Sequence, residues 1–469
     1  MVIAMLTYSL SRASGTPLYE ELYRFIRRDI ETGLLPAGQK LPSKRSLAQH
    51  LGVSVVTVET AYAQLGAEGY IQCRARSGTY VNALSTAVPC PAPVSSCLET
   101  AAPSYRIDLS RSYPGELFPF TIWSRLLRNT IAEQENRFSQ PLTPYGADEL
   151  RTAIAAYLRR ARGLHVSPAQ IIIGAGTEYL YQLLILLLGS DLCYAVENPG
   201  YQKISRIYQL NGAACLPLPL DDAGLSIAAL RSSAADVVHI SPAHHYPTGL
   251  VMPIARRQEL LAWAQEGQHY IIEDEYDSEF RFLGRPLPPL FGSSPDERVI
   301  YINTFSQTIS PSIRISYLCL PPHLMERYRR TMDFLSCTVP VLEQLTLSKF
   351  IADGYFERHL NRMKTYYRKK RKLIFDCLAN SSLTPFLTLR EENAGLHFLV
   401  RLQTEVPDAQ LKAAAAERGI RLSFLTDFFA DNQEAAADSH TLLINYSSLD
   451  PADLAEVLAF LADFLAGPG

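Results

Sequence analysis

Residues 269–320 constrain the fold of this chain more than any other stretch. Two apolar runs, 270–272 and 299–302, flank a proline-rich loop, and a third run ends at residue 320. Short apolar runs of this kind are typical of strands that are buried on both faces of a parallel sheet. The sequence therefore predicts an α/β fold in which a mostly parallel sheet is flanked by helices.

Polar side chains follow the first two of these predicted strands. Asp274 and Tyr276 come directly after the first run, and Thr304, Ser306 and Arg314 come after the second. In open α/β sheets, ligands bind beside the carboxyl ends of the parallel strands. We therefore expect these five side chains to line one ligand site.

This set of residues resembles the cofactor core of fold-type-I pyridoxal 5'-phosphate (PLP) aminotransferases. It resembles in particular the version found in MocR-type regulators, a subfamily of GntR transcription regulators in which a winged helix is fused to an aminotransferase-like domain. The resemblance implies that Asp274 pairs with the pyridinium nitrogen of PLP and that Tyr276 hydrogen-bonds the ring hydroxyl. It also implies that Thr304, Ser306 and Arg314 hold the phosphate, because a guanidinium matches phosphate oxygens.

The chain departs from this family at the residue that binds the cofactor covalently. The family motif Ser-Phe-Ser-Lys-Thr contains the Schiff-base lysine, whereas this chain has Gln307 at the same place, within residues 304–308. An amide nitrogen is not nucleophilic, so Gln307 cannot form a Schiff base. We therefore assign no catalytic residue, and we expect PLP to bind non-covalently, to bind as a preformed external aldimine, or to be absent. The sequence does not distinguish a natural glutamine from an engineered one.

Two further stretches resemble parts of the family's cofactor pocket. A predicted strand at residues 171–173 leads into the turn Ala175, Gly176, Thr177 and then into an apolar helix. Such turns present backbone N–H groups and a positive helix end to phosphate, although an ordinary strand-to-helix turn has the same pattern. Tyr201 stands where the family has an aromatic ring that stacks on the pyridine, and a role in the core is the alternative.

Residues 1–82 predict a winged helix-turn-helix domain. Ser43 and Ser54 are placed as N-caps of two helices that are separated by a tight turn at Gly52, and residues 71–81 are typical of a β-hairpin. The motifs Leu-Pro-Ser-Lys-Arg at 41–45 and Ser-Gly-Thr-Tyr-Val at 77–81 resemble those of the GntR-type winged helix. The resemblance implies that the following residues contact operator DNA: Ser43, Lys44, Arg45, Ser54, Thr57, Arg74, Arg76, Gly78 and Thr79.

One residue of this domain departs from the GntR pattern. The family often has Arg or Lys after the serine that begins the third helix, whereas this chain has Val55. A valine can contact a thymine methyl group, but it cannot bind a phosphate or a guanine edge. The alternative to DNA binding is a small three-helix domain that is used for protein contacts.

Composition divides the chain into four segments and argues against several protein classes. We predict a DNA-binding domain at 1–82, a linker rich in Pro, Ala and Ser at 83–107, a large PLP-binding domain at 108–340 and a small α+β domain at 341–469. The eight cysteines are scattered, which indicates neither a zinc site nor disulfides, and no metal is expected at the adjacent His244 and His245. No apolar run is long enough for a signal peptide or a membrane span, which predicts a cytoplasmic protein.

Together these features predict a DNA-binding transcription regulator. Its aminotransferase-like domain would form a homodimer and sense PLP, a PLP–amino-acid adduct or a related small-molecule effector. The alternatives are a PLP-dependent aminotransferase impaired by loss of the lysine, and a dimerisation scaffold without a cofactor. The arginine that binds the substrate carboxylate in aminotransferases aligns with Leu443, so Arg421 or Lys203 would have to replace it. A basic run at 358–372 either contacts DNA or is the solvated face of a helix.

Overall fold

The structure is a computed structural model, and it describes residues 6–10, 16–75, 77–83, 105–110, 117–281, 287–294, 297–390, 395–431 and 438–466. The chain divides into two compact units, Met1–Ala102 and Pro103–Gly469. The division falls within the predicted linker at 83–107, of which residues 84–104 lie outside the described ranges. The domain boundaries at 82, 107 and 340 therefore remain predictions.

In the described part of the first unit, three helices precede a β-hairpin. These elements are α1 (Leu18–Glu31), α2 (Lys44–Leu51), α3 (Val55–Ala67), β1 (Ile71–Arg74) and β2 (Gly78–Val81). The side chains of Ser43 and Ser54 cap α2 and α3, and Gly52 ends α2 in the left-handed conformation with a φ of 67°. The two strands pair antiparallel, with Ile71 opposite Val81. These elements confirm the predicted winged helix-turn-helix.

A small apolar core holds the first unit together. Residues at helical spacing on α1, α2 and α3 are completely buried in it: Leu22, Ile26, Leu47, Val58, Ala61 and Leu65. Burial of each leucine or isoleucine stabilises the fold by about 2 kcal/mol. The hydroxyl of Tyr62 donates a hydrogen bond to the carbonyl of Pro42 at 3.1 Å, which ties α3 to the start of α2. The same packing leaves Val55 and Val56 exposed at the start of α3.

The second unit contains a large sheet, a smaller sheet and the helices that cover them. Its strands are β3 (Ile107–Asp108), β4 (Ile171–Gly174), β5 (Cys193–Asn198), β6 (Ala214–Asp221), β7 (Gly224–Leu225), β8 (Val237–Ile240), β9 (Tyr270–Glu275), β10 (Val299–Thr304), β11 (Ser316–Cys319), β12 (Leu387–Arg390), β13 (His397–Leu402), β14 (Ile420–Arg421) and β15 (Thr441–Asn445). Its helices are α4 (Phe120–Glu133), α5 (Asp148–Arg162), α6 (Thr177–Leu188), α7 (Gln202–Leu210), α8 (Ile227–Ser232), α9 (Ile254–Gly267), α10 (Pro322–Thr331), α11 (Val341–Ala352), α12 (Tyr355–Ala379), α13 (Asp408–Glu417) and α14 (Pro451–Ala466).

The large sheet has the strand order β4-β11-β10-β9-β8-β5-β6-β7. From β10 to β6 the neighbouring strands run parallel, whereas β11 is antiparallel to both β10 and β4. The apolar runs at 270–272 and 299–302 lie in β9 and β10, which confirms the predicted parallel strands. Because Ile302 pairs with Asp274 in this register, the polar residues that end the two strands lie at the same edge of the sheet.

The smaller sheet is antiparallel, with the order β12-β13-β15, and residues of α12 and α14 share its apolar core. A parallel pairing of β3 with β14 joins the start of the second unit to this subdomain. A mostly parallel large sheet combined with a smaller α+β subdomain is the fold class that the sequence predicted. Within the described ranges, no helix is long and apolar enough to cross a membrane.

Candidate functional site

A cavity of about 400 Å³ lies at the carboxyl ends of β9 and β10. Most of the pocket residues predicted from the sequence line it: Thr177, Tyr201, Asp274, Tyr276, Thr304, Ser306, Gln307 and Arg314. They come from the start of α6, the loop after β5, the end of β9 and the segment between β10 and β11. The fold therefore brings into one cavity side chains that are far apart in the sequence.

Asp274 is a buried carboxylate with one oxygen that lacks a partner. The residue is 5% exposed, and its Oδ2 accepts a hydrogen bond from the Tyr181 hydroxyl and lies 3.4 Å from Nε2 of His239. Its Oδ1 is buried without a hydrogen-bond partner among the described residues. Burial and the Asp274 carboxylate raise the pKa of Tyr181 well above its usual value, so Tyr181 remains a donor. An unpartnered buried acceptor costs about 1–3 kcal/mol, so a donor in the cavity would bind here favourably.

Tyr276 and Tyr201 supply two aromatic rings to the cavity. The Tyr276 hydroxyl lies 3.2 Å from Nδ1 of His244, which is 2.8 Å from the carboxylate of Asp277. Burial and the Asp277 carboxylate raise the pKa of Tyr276 well above its usual value, so the hydroxyl keeps its proton. The Tyr201 ring is 43% exposed and meets the Tyr246 ring edge-on, with 6.0 Å between the centroids. An exposed ring at a cavity wall offers a face on which a planar ligand can stack.

Hydroxyl groups from β10 and β11 form a short chain beside the cavity. The Ser316 hydroxyl donates to Oγ1 of Thr304 at 2.8 Å, and the Thr304 hydroxyl donates to Oγ of Ser306 at 3.0 Å. The backbone N–H of Ser306 also donates to Oγ1 of Thr304, at 3.1 Å. This chain fixes the orientation of Thr304 and Ser306, both of which line the cavity.

Arg314 packs against the turn before α6. Gly176 has a φ of 91°, and a Cβ at this position would overlap the Arg314 guanidinium. Gly176 therefore acts through its missing side chain and does not itself line the cavity. Ala175 also lies outside the cavity lining, and its N–H donates to Oγ1 of Thr338 at 3.0 Å. Of the three turn residues, only Thr177 belongs to the described cavity lining.

A carboxylate that the sequence did not single out lies among these cations. Glu178, the second residue of α6, accepts hydrogen bonds from Arg314 and from Nζ of Lys203, the latter at 2.9 Å. Burial alone would raise the pKa of Glu178, but the two hydrogen bonds lower it below its usual value. Glu178 is therefore ionised near pH 7 and neutralises part of the positive charge of Arg314 and Lys203.

Gln307 lines the cavity from the segment between β10 and β11. In the described lining of this cavity the single lysine is Lys203. Arg421 lies in an adjoining cavity of about 490 Å³ that Lys203 also lines, and its guanidinium is 3.6 Å from the carboxylate of Asp108. Leu443 is completely buried in β15. Both proposed replacements for a carboxylate-binding arginine are therefore close to the cavity.

Glu197 and His245 form a buried pair at the cavity wall. The Glu197 carboxyl accepts a hydrogen bond from the N–H of Ser241 at 2.9 Å and lies 3.5 Å from Nε2 of His245. Burial raises the pKa of Glu197 to about 8, and burial together with His244 lowers the pKa of His245 to about 3. Both groups are therefore mostly neutral at pH 7, and the pair adds little charge to the cavity.

The structure gives His244 a carboxylate neighbour that sequence spacing did not reveal. His244, Asp277 and His397 are all buried, and one potential ligand atom from each lies within 4.8 Å of the other two. His244 and Asp277 hydrogen-bond each other directly, and Nε2 of His397 bonds to the carbonyl of Pro247 at 3.1 Å. His244 also contacts the Tyr276 hydroxyl. The bonds within the cluster therefore hold this hydroxyl in place.

Tyr181, His239 and Glu178 are among the residues that contact the predicted ones and that sequence inspection missed. Tyr181 lies one helical turn after Thr177, and this spacing could have placed both on one face of α6. His239 is a polar residue inside the buried strand β8, which was a usable signal. Glu178 gave none, because acidic residues are common in the first turn of a helix.

The residues predicted to contact DNA lie around the helix starts and on the hairpin. The Ser43 and Ser54 hydroxyls accept hydrogen bonds from the N–H groups of Ser46 and Thr57, each at 3.1 Å, so both serines also serve as helix caps. Lys44 forms a 2.5 Å ion pair with Glu59 on α3.

The other predicted DNA contacts differ in their surroundings. Arg45 is exposed in the first turn of α2. The Arg74 guanidinium lies 4.9 Å from the centre of the Tyr80 ring, on the hairpin that also carries Gly78 and Thr79. Arg76 lies outside the described residues. Exposed Arg45 and the hairpin cation are therefore the described side chains best placed to meet a nucleic acid.

Two family models match this chain, one in each unit. The model of the gntR family of bacterial regulatory proteins matches residues 18–81, and the model of class I and II aminotransferases matches residues 113–461. The uncharacterized HTH-type transcriptional regulator YdeL of Bacillus subtilis is 36% identical over 423 residues, which cover 89% of this chain and 91% of YdeL. The chain belongs to the HTH-type regulators that carry an aminotransferase domain.

Two named regulators of this family are similar over almost their whole length. The probable rhizopine catabolism regulatory protein MocR of Rhizobium meliloti is 33% identical, with 97% of this chain and 96% of MocR covered. The HTH-type pyridoxine biosynthesis transcriptional regulator PdxR of Corynebacterium glutamicum is 32% identical, with 98% of this chain and 99% of PdxR covered. The fusion of the two domains is therefore shared with these regulators.

Solved structures show the fold of the second unit. The multiple substrate aminotransferase of Thermococcus profundus superposes with a TM-score of 0.68 at 22% identity, covering 78% of this chain and 92% of the enzyme. LysN of Thermus thermophilus, complexed with N-(5'-phosphopyridoxyl)-L-leucine, superposes with a TM-score of 0.65 at 22% identity. The match covers 77% of this chain and 92% of LysN. At this identity the likeness establishes an aminotransferase fold and nothing about the ligand of this chain.

Proposed function

We propose that this protein is a transcription regulator that binds operator DNA through its first unit and a PLP-type ligand through its second. The ligand is PLP itself, a PLP–amino-acid adduct or a related compound, and it binds without a covalent bond to the protein. Family membership supports the regulatory part, and the lining of the cavity supports the ligand part. A protein that acts on an operator shares a compartment with DNA, so we also propose a cytoplasmic location.

The buried Oδ1 of Asp274 is the main support for a PLP-type ligand. It is an acceptor without a described partner on a carboxylate that lines the cavity. A protonated pyridine nitrogen is a charged donor, so it would both satisfy this oxygen and compensate the carboxylate charge. The names of PdxR and of the LysN complex connect pyridoxine and phosphopyridoxyl compounds with this family and this fold, which supports the same ligand chemistry.

The other cavity residues are placed to contact the ring hydroxyl, the ring face and the phosphate of such a ligand. Tyr276 is placed to hydrogen-bond a ring hydroxyl, and Tyr201 to stack on the ring. A phosphate would contact Thr177, Ser306 and Arg314, while Thr304 orients Ser306 and Gly176 gives Arg314 room. When bound, PLP supplies an aldehyde that condenses with amines and a ring that withdraws electrons.

Gln307 determines how such a ligand is held. The Gln307 amide cannot form a Schiff base with the aldehyde, and Lys203, the one lysine of the described lining, is bonded to Glu178, so we propose that no covalent bond forms. Reversible binding suits a sensor, because occupancy then follows the ligand concentration. The proposal therefore assigns no catalytic residue to this chain.

We further propose that the regulator is a homodimer. Two winged helices that bind two half-sites gain affinity through their effective concentration, and a two-fold symmetric protein fits an operator with matching symmetry. A ligand alters DNA binding only if it prefers one of two states of such a dimer.

A paired titration tests the proposed function. PLP binding is measured by calorimetry on the full chain, and affinity for a fluorescent fragment of the protein's own promoter is measured with and without saturating PLP. We expect reversible PLP binding and a change in DNA affinity. DNA affinity that is the same at every PLP concentration would contradict the proposed sensing.

A further inference from the structure

The cations at one side of the cavity already bind an anion, and that anion belongs to the protein. Glu178 accepts hydrogen bonds from both Arg314 and Lys203. All three side chains line the cavity, together with Thr177 at the start of α6 and Ser306. A phosphate that contacts Thr177, Ser306 and Arg314 would compete with Glu178 for Arg314, and it would lie near Lys203, which bonds to the other oxygen of Glu178.

Backbone and ring contacts hold both cations beside Glu178. The Arg314 guanidinium lies against Gly176 at the helix start, and Arg314 itself has a left-handed φ of 52°. Nζ of Lys203 lies 5.7 Å from the centre of the Tyr201 ring while it bonds to Glu178 at 2.9 Å. The two cations therefore bond to different oxygens of the carboxylate, Arg314 to Oε2 and Lys203 to Oε1.

The charges of these groups make Glu178 and a ligand phosphate compete for the same cations. Arg314 and Lys203 carry two positive charges, and Glu178 removes one of them. A phosphate monoester carries close to two negative charges at neutral pH. If it entered beside an ionised Glu178, two like-charged groups would meet at hydrogen-bonding distance, which is unfavourable even though solvent screens part of the repulsion at this 32% exposed carboxylate.

We propose that Glu178 is an internal competitor of phosphate: it holds Arg314 and Lys203 in the ligand-free protein and must release them when a phosphomonoester binds. The exchange lowers affinity for phosphorylated ligands and sets the concentration at which the sensor responds. This inference rests on the proposed function for the identity of the ligand, but not for the competition itself. Glu178 is therefore a residue that determines specificity between phosphorylated and unphosphorylated ligands.

The test compares three ligands on the full chain at constant ionic strength. Pyridoxine 5'-phosphate and pyridoxine differ only in the phosphate, and neither has an aldehyde that could react with surface lysines. Inorganic phosphate is the third ligand and reports on the anion site without the ring. The variants are Glu178→Gln, which removes the charge, and Glu178→Asp, which keeps the charge on a shorter side chain.

We expect Glu178→Gln to bind pyridoxine 5'-phosphate at least about tenfold more tightly than wild type, because a like charge is removed. Affinity for pyridoxine should remain unchanged, and affinity for inorganic phosphate should increase. Glu178→Asp should lie between the two proteins. The matched control is Glu133→Gln, which removes an exposed carboxylate paired with Lys349 and should leave all three affinities as they are.

Unchanged or weaker binding of pyridoxine 5'-phosphate and inorganic phosphate by Glu178→Gln would overturn the inference. Should Glu178→Gln fail to fold, a gain in Glu178→Asp supports the inference and no gain overturns it. The proposed function fails separately if neither pyridoxine compound binds any of the proteins. In that case the inorganic phosphate titration alone still decides whether Glu178 competes with phosphate.

Discussion

Asp274 and Gln307 line the same cavity but determine different properties of its ligand. Asp274 has a buried oxygen without a described partner, so it favours a ligand that brings a charged donor. Gln307 can donate and accept hydrogen bonds but cannot condense with an aldehyde in the way that a lysine amine does. The combination favours a nitrogen heterocycle that is held by its ring and its substituents rather than by a covalent bond.

Replacement of Asp274 by asparagine tests the ring contact. The neutral amide no longer stabilises a protonated pyridine nitrogen, so we expect PLP affinity to fall by a factor of ten or more, which corresponds to ~1.4 kcal/mol or above. Calorimetric titration of the full chain measures this. Asp333→Asn, which changes an exposed aspartate, is the matched control and should bind as wild type does. Equal affinities for Asp274→Asn and wild type would exclude Asp274 as the ring partner.

Glu197 makes the stability of the protein depend on pH. Burial raises its pKa to about 8 in the folded state, whereas an unfolded chain has the ordinary value near ~4.3. Between these values the folded state binds a proton that the unfolded state has lost, so this group reduces stability as the pH rises through that window. Below pH ~4.3 both states bind this proton, so Glu197 causes no loss of stability there.

Glu197→Gln keeps the side chain neutral and removes this dependence. We expect the variant to match wild type near pH 4 and to exceed its free energy of unfolding by roughly 1–3 kcal/mol near pH 8. Denaturant unfolding across this pH range measures the difference. Parallel profiles for the two proteins would show that Glu197 is ionised in the folded state.

At the scale of elements, α2 and α3 carry different kinds of exposed side chain. The exposed start of α3 presents Val55 and Val56, and α3 contains neither Lys nor Arg. Arg45 is an exposed cation in the first turn of α2, while Lys44 is paired with Glu59. We therefore propose that α2 and the hairpin provide the electrostatic attachment to DNA and that α3 adds apolar contacts to thymine methyl groups.

Arg45→Ala tests this division of roles. We expect it to weaken binding of the promoter fragment by about 1–3 kcal/mol if Arg45 reads a base edge, and to weaken all sequences alike if it holds phosphate. Fluorescence anisotropy with specific and scrambled fragments distinguishes the two. The matched control is Arg24→Ala on α1, where the arginine is already paired with Glu20. If Arg45→Ala and wild type bind DNA equally well, α2 does not contact the operator.

Sequence inspection located elements well and side-chain partners poorly, for a physical reason. The runs that became β9 and β10 are apolar at every position, and the caps at Ser43 and Ser54 depend on neighbouring residues only, so local pattern sufficed. The contact of Glu178 with Arg314 joins α6 to the segment between β10 and β11, and only the folded sheet brings these parts of the chain together. No local period or spacing records such a contact.

On the scale of the whole molecule, one unit carries the candidate DNA surface and the other the ligand cavity. Energetic coupling between two such sites requires a ligand that binds one state of the protein better than another, and the coupling is reciprocal. If PLP changes operator affinity by a given factor, operator DNA must change PLP affinity by the same factor. A regulator of this kind can therefore be studied from either site.

The proposed homodimer provides the states between which a ligand can choose. We expect sedimentation velocity to show a stable dimer at micromolar concentration, because paired winged helices on paired half-sites need one. The measurement needs neither ligand nor DNA. A monomer that persists across the concentration range would contradict the dimer and leave ligand-dependent spacing of two DNA-binding units without a basis.

We propose that Gln307 occupies the position of the family's Schiff-base lysine and that the cavity therefore holds a PLP-type ligand without a covalent bond. Visible absorption spectra with added PLP, before and after borohydride, test it most directly on wild type and on Gln307→Lys. We expect wild type to release its cavity-bound PLP on dialysis and to give no reducible adduct at a cavity residue, whereas Gln307→Lys should retain PLP and show the visible band of a lysine-bound cofactor. A reducible adduct located by peptide mass spectrometry at a cavity residue of wild type, such as Lys203, would contradict this, as would a Gln307→Lys protein with neither the band nor increased PLP affinity.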